Sequence, residues 1–130
     1  MASIFTKIIN GEIPCYKVAE NEHCIAFLDI MPRTKGHTLV IPKKEVDQLF
    51  DLPEADYNAL MKFAKQVATA IKAAVPCKRV GVAVIGLEVP HAHIHLIPLE
   101  NPEDMVFQRP HTPVDADEMK SIAKKINEKL

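Results

Sequence analysis

The chain has 130 residues, of which 48% are apolar and 25% charged, with a formal net charge of −1. That is the length of one domain with the balance of a folded globule, which excludes a disordered chain. Near-neutrality also excludes a protein whose main work is wrapping nucleic acid by electrostatics, while leaving room for a small anionic ligand. Cys15, Cys24 and Cys77 are odd in number and form no C-x-x-C, which suits reduced thiols in a cytoplasmic protein rather than a disulfide framework. The N-terminus has no long apolar h-region, and no segment approaches the ~18 consecutive apolar residues of a membrane span.

Taken in chain order, Gly11, Pro14, Pro32, Gly36, Pro42 and Pro53 cut the first half into short pieces. Tyr16–Ala19, Cys24–Ile30 and His37–Ile41 have the length and apolar content of strands and read as an antiparallel meander. A helix follows over residues 53–75, with Asp51 as its cap, Pro53 in the first turn and Glu54 three residues after the cap. Leu60, Phe63, Ala64, Val67, Ala68, Ile71 and Val75 recur along it at helical spacing, and Pro76 stops it. Arg79–Ile85 is a β-branched run, and residues 90–99 form another strand. After the connector Arg109-Pro110-His111-Thr112-Pro113, Asp115 and Glu118 make a capping box for a last helix running to about Glu128, with Val114 positioned to staple against Met119. Strands followed by helices, without βαβ alternation, predict an α+β fold with an antiparallel sheet.

The strongest chemical signal is His91-Ala92-His93-Ile94-His95. On a strand, period-two spacing sends Ala92, Ile94 and Leu96 into the core and lines His91, His93 and His95 along the opposite face. Three readings stay open on the residues alone. The row can be a half-buried polar stripe. It can hold zinc, although His91 and His95 lie ~13 Å apart along a strand and no carboxylate or cysteine stands nearby at ligand spacing. Or the central imidazole, His93, attacks phosphorus or an acyl carbon while its other nitrogen is held by an acceptor.

These motifs resemble the histidine-triad (HIT) family, and most closely its short Hint-like branch. The resemblance covers residues 3–98. It is carried by Ser3-Ile4-Phe5-Thr6-Lys7-Ile8-Ile9-Asn10-Gly11-Glu12-Ile13-Pro14, by Ala26-Phe27-Leu28-Asp29-Ile30, by Gly36-His37-Thr38-Leu39-Val40-Ile41-Pro42-Lys43-Lys44, and by the triad followed by Leu96-Ile97. It implies a five-stranded antiparallel sheet with one long helix and a C-terminal helix. That sheet would be extended across a homodimer, with the 53–75 helix at or near the subunit contact. The chain would be a single domain, residues 1–130, with 103–130 a C-terminal extension.

The resemblance also implies roles. His93 would attack the α-phosphorus of a purine nucleotide derivative and carry a covalent nucleotidyl group. His95 would contact the scissile bridge, His91 would help set the tautomer through backbone contacts, and His37 would support the nucleophile. Asp29 would bind the ribose hydroxyls, and Phe5, Ile8, Phe27, Leu28 and Ile30 would form the base slot. Glu88 and Val89, on the approach to the triad, complete the expected nucleotide-binding set. No cofactor, metal, nucleic acid or membrane is implied. The activity would be hydrolysis of nucleotide phosphoramidates or related 5′-monophosphate derivatives. The alternatives are dinucleoside polyphosphate hydrolysis or nucleotidyl transfer, and a nucleotide-binding regulatory scaffold with weak catalysis.

The chain departs from the family pattern in two places. The approach Val84-Ile85-Gly86-Leu87-Glu88-Val89-Pro90 lacks the expected asparagine, and Leu87-Glu88 stands where a phosphate-contacting hydroxyl or amide is expected. A carboxylate there repels an α-phosphate unless it points away or serves another step, such as holding a cationic amine. Ser3 and Thr6 stand where some bacterial relatives carry a zinc-binding cysteine pair.

Overall fold

The computed structural model describes residues 2–130. A five-stranded antiparallel sheet is laid out in the order β1-β2-β3-β5-β4, with β1 Lys17–Glu20, β2 Cys24–Leu28, β3 Thr38–Pro42, β4 Arg79–Ala83 and β5 Ile94–Leu99. Strand β5 enters between β3 and β4, so His95 is paired on both sides, with Leu39 and with Ala83.

Helices α2 (Glu54–Ala74) and α3 (Ala116–Asn127) cover one face. Leu60, Phe63, Ala64, Val67 and Ile71 of α2 and Met119, Ile122, Ala123 and Ile126 of α3 pack onto Val18, Ala26, Leu28, Val40, Ala92, Ile94 and Leu96. The other face carries a smaller apolar cluster of Ile25, Phe27, Leu39 and Ile41. Phe5 from the short helix α1 (Ile4–Ile9) packs onto it. Alternation along β2 decides the split: Ala26 and Leu28 go to the helices, Ile25 and Phe27 to the opposite face.

Several boundaries differ from the sequence reading. The last strand begins at Ile94, not at residue 90, because its partner runs out. Thr38, Leu39 and Val40 pair with Leu96, His95 and Ile94, and the next residues of β3 lead to Pro42, which has no N–H to donate. His91 and His93 therefore stand in the approach, although Ala92 still turns into the helix-side core and the histidines to the other face. Asp51 does not cap α2: it lies in a 3₁₀ turn, Leu49–Asp51, and Pro53 holds the cap position. Asp115 does cap α3, accepting from Glu118 N at 2.8 Å. The Glu118 carboxylate reaches Lys35 at 2.8 Å instead of closing a box. A further helix, α1, stands ahead of the first strand, with Ser3 as its cap. No helix among the described residues is long and apolar enough to cross a membrane.

Candidate active site

Four histidines converge on the face opposite the long helices, and each is buried. The hydrogen on each ring follows from its partners, because a carbonyl only accepts and a backbone N–H only donates. His93 Nδ1 lies 2.8 Å from the His91 carbonyl oxygen, so Nδ1 carries the hydrogen and Nε2 is left with its lone pair. His91 Nε2 donates to the Pro42 carbonyl at 2.8 Å, and its Nδ1 accepts from the Ser3 hydroxyl at 2.8 Å. His37 Nδ1 accepts from the Arg33 backbone N–H at 2.9 Å, so its hydrogen sits on Nε2 and is donated to His95 Nδ1 at 3.0 Å. His95 must then hold its own hydrogen on Nε2.

The result is a nucleophilic lone pair on His93 beside an N–H donor on His95, with the two rings edge to face at 5.0 Å. That pairing suits attack on an electrophilic phosphorus with hydrogen-bond support for the atom that leaves. Burial pushes the imidazolium form of His37 down to about 3 and that of His95 to about 4, and lowers that of His91 as well. All three rings are neutral at pH 7, which preserves the single direction of each hydrogen bond.

Asp29 stands just beyond β2. Its Oδ1 accepts from Met31 N at 2.8 Å and its Oδ2 lies 3.6 Å from His37 Nε2. Burial raises its pKa, a pull partly offset by the Met31 N–H. Asp29, His37 and His95 bring three possible metal-ligand atoms within 4.8 Å of one another. Chemistry resists an ion there: with Arg33 N–H donating into Nδ1, His37 Nε2 holds the hydrogen and offers no lone pair. Coordination would require loss of the Arg33 bond or an imidazolate.

The apolar wall is built by Phe5, whose ring meets Phe27 at 5.7 Å and His93 at 5.0 Å, both edge to face. Ile8 and Val89 pack on the same cluster. Of the residues expected in the base slot, Leu28 is elsewhere and Ile30 is not packed on the Phe5 cluster. Leu28 faces α2 and α3 as part of the main core, since it alternates with Phe27. Ile30 lies past the end of β2 and is 73% exposed, beside a groove lined by Tyr16, Lys120 and Lys124 near α3. Glu88 is exposed, next to half-buried Val89.

Sequence reasoning also missed a supporting layer. Glu45 Oε1 accepts from Ser3 N at 2.7 Å and from the Thr6 hydroxyl at 2.6 Å. With the Thr6 hydrogen committed to Glu45, the Ser3 hydroxyl is free to donate to His91. Those two donors, Ser3 N–H first, hold the Glu45 carboxyl down at about 2. The connector before α3 is not a plain link either: Arg33 Nη1 donates to the carbonyls of Val106, Phe107 and Arg109.

The HIT domain family matches residues 10–102, and the chain belongs to that family. It is 34% identical over 132 residues to the adenosine 5′-monophosphoramidase of Schizosaccharomyces pombe, covering 100% of this chain and 99% of that protein. Its fold superposes on the crystal structure of a Hit-like protein from Bartonella henselae with a TM-score of 0.85 and 34% identity, over 98% and 96% of the two chains. A hypothetical histidine triad nucleotide-binding protein from Sulfolobus tokodaii gives a TM-score of 0.80 and 32% identity, over 96% and 89%.

Proposed function

We propose that this protein is a nucleotide hydrolase of HIT type that cleaves nucleoside 5′-phosphoramidates at the α-phosphate. The observation that carries the reading is the lone pair of His93 Nε2 beside the N–H of His95. The likeness to a yeast adenosine 5′-monophosphoramidase along the whole chain supports the substrate class. In the first step His93 Nε2 bonds to phosphorus, the P–N bond breaks, and the departing amine takes a proton from solvent. His95 donates a hydrogen bond to the atom that leaves. In the second step water attacks the nucleotidyl-histidine, the P–Nε2 bond breaks, and one proton returns to solvent with release of the monophosphate.

His91 holds the attacking ring through its carbonyl, and His37 orients His95. Asp29 offers a carboxylate suited to vicinal ribose hydroxyls, and Phe5, Phe27, Ile8 and Val89 provide an apolar wall for a purine base. Strand β4 is a sheet edge with Val82 58% exposed and Val84 and Ile85 exposed beside it. This supports a homodimer that continues the sheet. Three cysteines with free thiols support a cytoplasmic setting.

The test is incubation with adenosine 5′-phosphoramidate, with mass spectrometry for an adenylyl adduct and for free AMP, beside His93→Ala. An adduct and AMP are expected from the wild type and neither from the variant. No AMP from the wild type sinks the hydrolase reading.

A further inference from the structure

The hydrogen bond between His37 and His95 does not choose its own direction. With the hydrogen on His37 Nε2 it points one way; with the hydrogen on His95 Nδ1 it is equally well satisfied the other way. The two states differ in what faces the substrate. In the first, His95 presents N–H at Nε2. In the second it presents a lone pair, next to the lone pair of His93 and facing an anionic phosphate. The bias between them comes chiefly from the Arg33 N–H, which donates into His37 Nδ1 at 2.9 Å, and is reinforced by the Asp29 carboxylate, whose Oδ2 lies 3.6 Å from His37 Nε2.

Arg33 is itself held from the far end of the chain. Its guanidinium Nη1 donates to the Val106 and Phe107 carbonyls at 3.3 and 3.0 Å, and also to the Arg109 carbonyl. It also lies over the Phe107 ring at 5.6 Å. From the other side, the Thr112 hydroxyl donates to the Arg33 carbonyl at 2.7 Å and Thr112 N–H to the Pro32 carbonyl at 2.8 Å. Phe107 stands edge-on to His95 at 5.0 Å and to His37 at 6.2 Å, covering the bond whose direction is at stake.

We propose that residues 106–112 form a strap that, through Arg33, fixes the direction of the His37–His95 hydrogen bond and keeps the hydrogen on His95 Nε2. Arg33 and Thr112 are positioning residues: neither reacts, and both act through His37. Burial keeps both rings neutral, so each carries one hydrogen and its location matters.

The kinetic half of the test rests on the phosphoramidase reading; the spectroscopic half does not. Two-bond ¹H–¹⁵N correlation spectra of the full-length, imidazole-labelled protein report which nitrogen of each ring is protonated. The wild type is expected to show His37 and His95 with the hydrogen on Nε2. Arg33→Ala and Thr112→Val are expected to move His95 toward a mixture, and Thr112→Ser to restore it. On adenosine 5′-phosphoramidate, kcat of both variants falls by about tenfold, part of the ~10²–10³ that losing a preorganised donor costs. On the corresponding phosphorofluoridate, whose fluoride leaves without taking a proton, the fall is about threefold or less. Thr112→Val removes one hydroxyl and keeps the side-chain shape, so it decides the matter if Arg33→Ala does not fold. A wild-type His95 protonated on Nδ1, unchanged tautomers in both variants, or equal losses on the two substrates overturns the proposal. A wild type inactive on the phosphoramidate overturns the hydrolase reading, and the spectra still decide this one.

Discussion

Replacing Ser3 by alanine removes one oxygen and orphans two partners. The Ser3 hydroxyl oxygen accepts the Thr6 N–H at 3.0 Å as the cap of α1, and its hydrogen goes to His91 Nδ1 at 2.8 Å. Losing the cap costs about 1 kcal/mol. Leaving a buried ring nitrogen unpaired costs about 1–3 kcal/mol more, and with His91 at 0% exposure water does not reach it as a substitute. The Thr6 hydroxyl lies 3.4 Å from the same nitrogen, but its hydrogen is committed to Glu45 at 2.6 Å. The expected loss is about 2–4 kcal/mol, a large share of the ~5–15 kcal/mol that holds a domain of this kind. Urea unfolding measures it as a lower midpoint at unchanged slope. Because α1 carries Phe5 against His93, kcat/KM falls as well. Ser3→Thr, which keeps the hydroxyl, stays within about 1 kcal/mol of wild type. A loss under about 1 kcal/mol for Ser3→Ala refutes the assignment of Ser3 as the donor that sets the His91 ring.

Stability depends on acidity in a defined direction. His37 at about 3 and His95 at about 4 are depressed from 6.5, so between those values the unfolded chain binds protons that the native rings refuse. Their stabilisation is complete above about pH 6.5 and is lost as pH falls through that window. Glu45, held near 2, adds to the loss further down, and Asp29, raised by burial, opposes it. Urea midpoints measured between pH 7 and 4 are expected to fall, with a shallower fall in His37→Asn; equal slopes would count against the buried pair. The two faces of β2 separate in the same way: Leu28→Ala costs about 2–5 kcal/mol as a core truncation and leaves KM unchanged, whereas Phe27→Ala raises KM. Ile30→Ala changes neither, and a higher KM for Ile30→Ala would return that residue to the base slot.

The parts of the site legible in sequence were those written locally. Alternation around His91, His93 and His95 gave the correct faces because Ala92, Ile94 and Leu96 must all meet the helices. The same rule, applied with its phase open, let Leu28 stand beside Phe27 in the expected slot, and only the pairing of β2 with β3 separates them. The helix α1 escaped because six residues give little periodicity, although Ser3 ahead of Ile4, Phe5, Ile8 and Ile9 is a weak cap-and-stripe signal. Nothing local marks Glu45, whose partners lie 42 and 39 positions away. Arg33 and Phe107 are 74 positions apart, and an isolated arginine before Thr34 carries no hint that its guanidinium holds carbonyls beyond residue 105.

The family match ends at residue 102, while Arg33 is gripped by residues 106–112 and the main core is completed by Met119, Ile122, Ala123 and Ile126. The domain match and the mechanical unit therefore have different borders in this chain. A fragment trimmed to residues 10–102 would keep His37, His91, His93 and His95 and lose the anchor of Arg33, helix α1 with Ser3 and Phe5, and the apolar cover that α3 lays over the sheet. Holding the triad still is thus the work of residues on both sides of the matched segment, Ser3 before it and residues 106–112 after it.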